Sequence, residues 1–461
     1  MQKKIQKIVD KTTPENSPSS DILYGNETAK ALTNFTLSEL KMPRAFLWAL
    51  GTIKSACAKA NQELGLLDAD KSAAIQLAAK EVADGFHDNQ FPVDVFQTGS
   101  GTSTNMNVNE VIASLVKRHS KNKLNVHPND DVNMGQSSND VIPSCIHLSA
   151  AKLISEVMLP SLQHLSKTLD KKASEHLSTI KTGRTHLMDA MPLSFAQEIS
   201  AWTAQVNFAH DQLQNSLPSL YKLAIGGTAV GTGVNTHPEF AAIVTRVLTD
   251  KIGLTFTPAD NYFRAISAQD TAVFVSGILK TTAISLSKVS NDIRWLSSGP
   301  LNGLNELHLP ELQKGSSIMP GKVNPVIPEA ILMACTQVIG NDTIITLAGQ
   351  SGNFQLNTML PLIGYTLVQS IQLLSSCSTA LADKVIKDMC VNHTLIKQNL
   401  AKNPILVTAL TNLIGYDKST EIAKKAYAEK RTVLDVAKEL TEISEAELIE
   451  LLDPKRLTAS C

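Results

Sequence analysis

"LQHLSKTLDKKASEHL", Leu162 to Leu177, carries apolar residues at 162, 165, 169, 173 and 177. Steps of three and four residues put all five on one side of a 3.6-residue helix, with lysines, serines and an aspartate around the rest. The spacing runs on to Ile180 and predicts one long helix. Ile199, Trp202, Val206, Ala209 and Leu213 repeat the pattern, as do Leu286, Val289, Ile293 and Leu296. Apolar helical runs also follow Pro328 and extend from Thr366 to Val385. Five such helices predict an all-α fold around a central long-helix bundle, with stripes available to face other subunits.

Composition agrees: 43% of the 461 residues are hydrophobic but only 5% aromatic, a balance that suits helix packing better than sandwiches or barrels. The 42 basic and 43 acidic residues leave a formal charge of −1, so no electrostatic footprint for nucleic acid or an anionic membrane exists. Six cysteines, Cys57, Cys145, Cys335, Cys377, Cys390 and Cys461, show no CxxC spacing and read as reduced thiols of a cytoplasmic protein. The N-terminal residues lack the apolar core of a secretory signal, and no uninterrupted apolar stretch reads as long enough to cross a bilayer.

Three regions are expected: an N-terminal helical domain over residues 1–137, a central five-helix bundle domain over 138–392, and a small C-terminal helical domain over 393–461. Residues 1–21, polar with two prolines, read as a weakly ordered arm. A short helix is expected from Asn109 to His119, and Ser444 with Glu447 forms a capping box. The charge balance and the missing spans imply no nucleic acid and no membrane partner.

Four polar passages interrupt the helical pattern: Gly99 to Asn107, His127 to Asp140, Thr182 to Asp189, and "GSSIMPGKVN", Gly315 to Asn324. They are rich in Ser, Thr and Asn, with one lysine in the last and one histidine in each of the middle two, an inventory that binds carboxylates. "GSGTST" lacks the Gly-Lys-Ser/Thr ending of a phosphate loop, and in "GGTAVGTG" Thr236 stands where a third dinucleotide-binding glycine belongs. No His or Cys pair has zinc spacing, so neither metal nor cofactor is expected. Ser316 and Ser317 lack the GxSxG frame of a hydrolase, whereas Lys322 supplies a cation that favours a serine anion or binds a carboxylate.

Gly315, Ser316, Met319, Lys322 and Asn324 resemble the signature loop of the fumarase/aspartase superfamily. "SGTSTNMNVNEV", "HPNDDVNMGQSSND", "GRTHLMDA", "GGTAVGTGVN" and "LVTALTNLIGYDKSTEIAKKA" resemble further blocks of the class II fumarases, in the same order, so the likeness runs from about Leu23 to about Pro454. Aspartate ammonia-lyases are the near rival. The opening of "HPNDDVN", His186 and Gly321 all side with fumarase, where that branch has Asn, Gln and Ala. A non-catalytic structural relative is a further alternative, against which the retained Ser316, His186, Lys322 and Asn324 speak.

The resemblance implies a three-domain homotetramer with active sites shared among three subunits, and a hydro-lyase of the tricarboxylic acid cycle. It would hydrate fumarate reversibly to (S)-malate through an aci-carboxylate intermediate, without a cofactor. Ser316, His186 and Glu329 carry over as catalytic residues. Ser100, Gly101, Thr102, Ser137, Ser138, Asn139, Thr185, Ser317, Lys322, Val323 and Asn324 carry over as substrate contacts. His127, Pro128, Asn129 and Asp130 match a second dicarboxylate site, which reads equally well as a turn capping the next helix. Taken one at a time, His186 reads as a surface histidine, Glu329 as a first-turn carboxylate and Ser137 with Ser138 as a cap; the joint appearance in order decides. The chain departs from the pattern at Lys30, Leu124 and Leu301, where basic residues (arginine at the first and last) are usual, and at Met188, where a glutamine is common.

Overall fold

The computed structural model describes residues 22–458, so the expected arm at 1–21 and Cys461 lie outside the described residues. The described chain is mostly helical, with short two-stranded sheets between helices. Its five long helices are Ser138–Ser174, Phe195–Leu220, Asp270–Leu296, Val326–Gly349 and Leu360–Leu381. Leu162, Leu165 and Leu169 are fully buried, as their spacing requires. That helix nevertheless stops at Ser174, and Ile180 opens a β-strand instead of ending the stripe. The chain turns at His176–Thr179, and Thr179 O accepts the Phe195 N–H at 2.8 Å, closing a hairpin. Ile180 then packs against the apolar cluster of Leu400, Leu406, Leu410, Ile422, Val436 and Leu448.

Two compact units emerge. The first holds the described residues up to Lys152, Pro218–Phe274 and Ile344–Gln369; the second holds Leu153–Leu217, Val275–Thr343 and the described residues from Ser370 onward. Inside the second, polar bonds link segments of the five long helices in a closed circuit. Trp202 Nε1 donates to Asp292 at 2.9 Å, Ser276 Oγ to Asp342 at 2.8 Å, and Asn341 Nδ2 to Ser370 Oγ at 3.0 Å. Ser375 Oγ meets Met158 Sδ at 3.2 Å, and Ser166 Oγ donates to Asn207 at 2.7 Å, which returns to the helix of Trp202. Apolar stripes alone tolerate sliding. A buried polar atom does not, because leaving its partner costs roughly 1–3 kcal/mol, so the circuit fixes rotation and register.

In the first unit, helices Arg44–Glu63 and Ala69–Asp84 pack closely, and Ser72 Oγ donates to Ala58 O at 2.9 Å. The helix expected at Asn109 begins earlier, at Thr102. Gly101, at φ 75°, makes the left-handed entry turn, and tertiary partners offset the weak helix propensity of Asn105, Asn107 and Asn109. The glycine-rich "GGTAVGTG" loop does cradle an anion, but an internal one: the N–H groups of Gly226 and Thr228 both donate to Asp140 Oδ2, at 3.0 and 2.9 Å.

The reading that no stretch is long enough to cross a bilayer is corrected: by length and composition, Ser138–Ser174, Asp270–Leu296 and Val326–Gly349 are long and apolar enough. Scattered Ser, Thr and Asn hid this in the sequence. The last of the three is the most exposed in the single chain, with Met333 and Leu347 on its surface. Four of the five described cysteines are buried, Cys390 is exposed, and none forms a disulfide.

Candidate active site

The first two polar passages lie in the first unit, and helix starts shape both. Ser100 Oγ and Thr102 Oγ1 are 2.8 Å apart at the opening of helix Thr102–His119. Behind them a Cβ on Gly101 would lie 2.9 Å from Ile142, so this turn rests on the helix that begins at Ser138. Asn105 Nδ2 donates to Ser138 Oγ at 3.0 Å, tying the passages together. The cap reading of Ser137 holds as well. Its Oγ accepts the Asn139 N–H at 3.2 Å, its own N–H donates to Asp140 Oδ1 at 2.9 Å, and the hydroxyl proton stays available. Asn139 Nδ2 donates to Ala229 O at 2.8 Å.

His127 to Asp130 form the start of a short π-helical turn, Pro128–Val132. His127 Nδ1 accepts the Asp130 N–H at 3.2 Å, and its own N–H donates to Asp131, whose other oxygen meets Lys71 at 2.9 Å. Asp130 and Asn129 remain exposed.

The third passage belongs to the second unit and is a β-hairpin, which the all-helical pattern did not anticipate. Strands Ile180–Thr185 and Met188–Ser194 pair antiparallel, and Thr185 faces Met188 across a two-residue turn. The turn residues are His186 and Leu187, at φ 55° and 62°. Tight turns of this hand favour Asn-Gly; side chains with a Cβ in that region carry about 1–2 kcal/mol of strain each. The hairpin thus thrusts an exposed imidazole outward on a stiff stem. Its base is buried and ionic: Lys181 Nζ meets Glu198 at 2.7 Å and Glu306 Oε2 at 2.9 Å, and Arg184 bonds the other Glu306 oxygen. Asn403 from the C-terminal segment donates to Ala190 O at 2.9 Å and holds the second strand.

The signature loop also belongs to the second unit. Asn324 Nδ2 donates to Gly315 O at 2.5 Å and closes its base. Inside, Ser316 Oγ accepts the N–H groups of Ile318 and Met319 at 3.2 and 3.0 Å, so two amide dipoles point at one hydroxyl oxygen. Ser317, Lys322 and Val323 are exposed, and Lys322 has no acidic partner among the described residues. Gly321 to Pro325 form one wall of a cavity of about 570 Å³. Arg294, Trp295, Ser298, Asn305 and His308 also line it, and no acidic side chain does. Glu329 sits exposed in the first turn of helix Val326–Gly349. Within one chain it makes no hydrogen bond or ion pair with His186 among the described residues, so the single chain does not join these two.

With that geometry in view, the comparisons with known proteins bear on the whole chain. A family model described as "Lyase" matches residues 15–340, and one described as "Fumarase C C-terminus" matches 406–459. A class II fumarate hydratase of Pseudomonas aeruginosa is 54% identical over 437 residues, covering 95% of each chain. One from Xylella fastidiosa is 52% identical, covering 95% of this chain and 92% of its own. The chain belongs to the class II fumarases. The crystal structure of a class II fumarase from Schistosoma mansoni superposes with a TM-score of 0.92 at 39% identity, covering 96% of this chain and 97% of that one.

Sequence reasoning missed several residues that shape this class II fumarase's candidate site. Arg294 and His308 line the same cavity as the signature loop, and Lys54, Asp140, Lys181 and Glu306 lie buried beside the site passages. A lysine inside an otherwise apolar segment, "GTIKSACAKA", is the sequence signal that could have found Lys54; the others carry no such mark. Gly315 is the tightest point of the loop: a Cβ there would lie 1.8 Å from Lys322 O. Gly315→Ala must therefore open the loop base, and kcat/KM is expected to fall at least ~100-fold, the scale of a 1 Å misplacement. The thermal midpoint should move by no more than a few degrees, since the loop is exposed. Steady-state kinetics beside a melting curve check both.

Proposed function

We propose that this chain catalyses the reversible hydration of fumarate to malate, using general acid–base catalysis by its own side chains. In the malate direction the C–H proton next to a carboxylate passes to Ser316, and the electron pair moves into that carboxylate as an aci-carboxylate. The pair then forms the C=C bond as the C–OH bond breaks, and hydroxide takes a proton and leaves as water. Lys322, Asn324 and loop amides hold the carboxylate where charge builds; removing one such donor typically costs about 3 kcal/mol of transition-state stabilisation. His186, oriented by Glu329 of a neighbouring subunit, supplies the departing hydroxide's proton through a bound water. The remaining contacts come from Ser100 to Thr102, Ser137 to Asn139, Thr185, Ser317 and Val323, and the turn at His127 to Asp130 takes a second dicarboxylate.

One observation carries this reading. In a chain over half identical to class II fumarate hydratases, the Ser316 oxygen receives two backbone N–H groups, and Lys322 in the same loop has no acidic partner among the described residues. Those amides favour the oxygen when it is negative, as a base of this type needs.

The passages converge in a homotetramer whose active sites draw on three subunits. The exposed apolar residues of helix Val326–Gly349 support such a partner surface. The division at 137/138 and 392/393 is retained as a proposal, supported at its second boundary by the separate apolar cluster between Leu400 and Leu452. The chain is a soluble fumarase, and the cytoplasm is its proposed compartment. Purified protein should lower the ultraviolet absorbance of fumarate to an equilibrium value and release no ammonia from aspartate. Ammonia from aspartate with fumarate untouched would move the chain to the rival lyase branch.

A further inference from the structure

Lys54 is fully buried in helix Arg44–Glu63, and no carboxylate touches its ammonium among the described residues. Its Nζ donates to Asn133 Oδ1 at 2.8 Å and to Gln136 Oε1 at 2.9 Å. An ammonium has protons and no lone pair, so the atoms facing it must be the amide oxygens. Both amides are thereby oriented. Their NH₂ groups turn away, Asn133 Nδ2 to Gln136 O at 3.2 Å and Gln136 Nε2 to Val132 O at 3.1 Å.

The orientation propagates. Asn133 Oδ1 can only accept, so Asn105 must present its NH₂ there, at 3.2 Å. That same NH₂ donates to Ser138 Oγ at 3.0 Å. Ser138 therefore spends one lone pair inward, and its hydroxyl proton is not used in that bond. Asp140 is near but committed elsewhere, to the amides of Ser137, Gly226 and Thr228.

We propose that Lys54 is a positioning residue for the dianionic substrate. Through Asn133 and Asn105 it directs an N–H onto the Ser138 oxygen, which leaves the hydroxyl proton free to donate to a substrate carboxylate, and it places a buried positive charge beneath the Ser137 to Asn139 turn. The inference rests on the reading above that this turn holds a substrate carboxylate. The turn grips substrate and transition state alike, so its effect belongs in KM more than in kcat.

Burial draws the Lys54 ammonium down to about 8, partly offset by Cys57 on its own helix and by Cys145 and Asp140 on the helix that begins at Ser138. As pH rises through that value the turn loses the positive charge beneath it and the two Nζ bonds lose their charge assistance, so KM should climb.

The test uses the assembled enzyme and three variants, Lys54→Met, Asn105→Leu and Ser138→Ala. Lys54→Met and Asn105→Leu are each expected to raise KM for fumarate about 10- to 100-fold with kcat within about threefold, the scale of losing a hydrogen bond to a charged group. The rise of KM above pH 8 should vanish in Lys54→Met, which a purely structural lysine would not produce. Ser138→Ala added to either should raise KM little further, because one chain of bonds is broken once. A folded, tetrameric Lys54→Met with unchanged KM, or KM effects that multiply, overturns the proposal. Should Lys54→Met fail to fold, the Asn105→Leu and Ser138→Ala cycle decides by the same criterion. A wild-type enzyme that leaves fumarate untouched would instead overturn the functional reading, and this inference with it.

Discussion

Ser316→Ala is expected to lower kcat about 1,000-fold while KM for malate stays within about threefold, within the usual range for loss of a general base. The oxygen removed is the one that receives the Ile318 and Met319 amides, in a loop whose base is closed by Asn324 on Gly315. Alanine keeps that base closed and leaves Lys322 in place, so ground-state binding of the carboxylate should survive. Only the acceptor for the carbon-bound proton disappears. A fall in kcat at constant KM is the signature of an interaction made in the transition state alone. The competing account treats Ser316 as a turn former whose hydroxyl merely satisfies two amides. That account predicts about 1 kcal/mol of lost loop stability and a nearly intact kcat. Steady-state rates in both directions separate the two, and a kcat unchanged by the substitution would remove Ser316 from the chemistry.

The helices were legible because burial on one side writes a 3.6-residue period into Leu162, Leu165 and Leu169, and nothing else in the chain competes with it. Ile180 kept the period by coincidence while belonging to a strand, since a single apolar residue past a helix end fits either pattern. The early start of helix Thr102–His119 was hidden because Asn and Thr favour turns until tertiary partners, Gln90 O for Asn107 and Asn133 for Asn109, satisfy them. The loops that gather Ser316, Lys322 and Asn324 could be read as a polar, Gly-rich passage beside a helix. Their support could not. Burial of Lys54 and Lys181 depends on where other segments fall; apolar neighbours hint at it for Lys54, but nothing around Lys181 does, and neither stretch names the groups that receive the ammonium. For the same reason "GGTAVGTG" read as a failed nucleotide loop, when its amides are occupied by Asp140 from elsewhere in the unit.

Lys181→Met is expected to destabilise the folded enzyme by about 3–5 kcal/mol, more than any other single charge removal considered for this chain. Lys181 is 1% exposed and Glu306 2%, with Glu198 somewhat more open. Nζ forms a hydrogen bond with Glu198 at 2.7 Å, and it lies 2.9 Å from Glu306 Oε2 as an ion pair without hydrogen-bond alignment. Removing the ammonium leaves the Glu306 carboxylate buried against Arg184 alone. The penalty is the desolvation of a charge that has lost half its compensation, which exceeds what the pair contributes when whole. Lys30→Met is the control: Lys30 and Glu27 are both more than half exposed, and their loss should cost no more than ~0.5 kcal/mol. Pairing Lys181→Met with Glu306→Met should recover part of the loss, because the almost fully buried acid is then gone and the groups left without partners, Glu198 and Arg184, are the more exposed ones. Urea unfolding at one fixed protein concentration reads all three. The hairpin that lifts His186 stands on this ion cluster, so Lys181→Met should also depress kcat/KM in whatever fraction stays folded. A loss of stability below about 1 kcal/mol would mean that water or Arg184 already solvates Glu306, and that the strained turn at His186 and Leu187 draws its rigidity from the Asn403 contact instead.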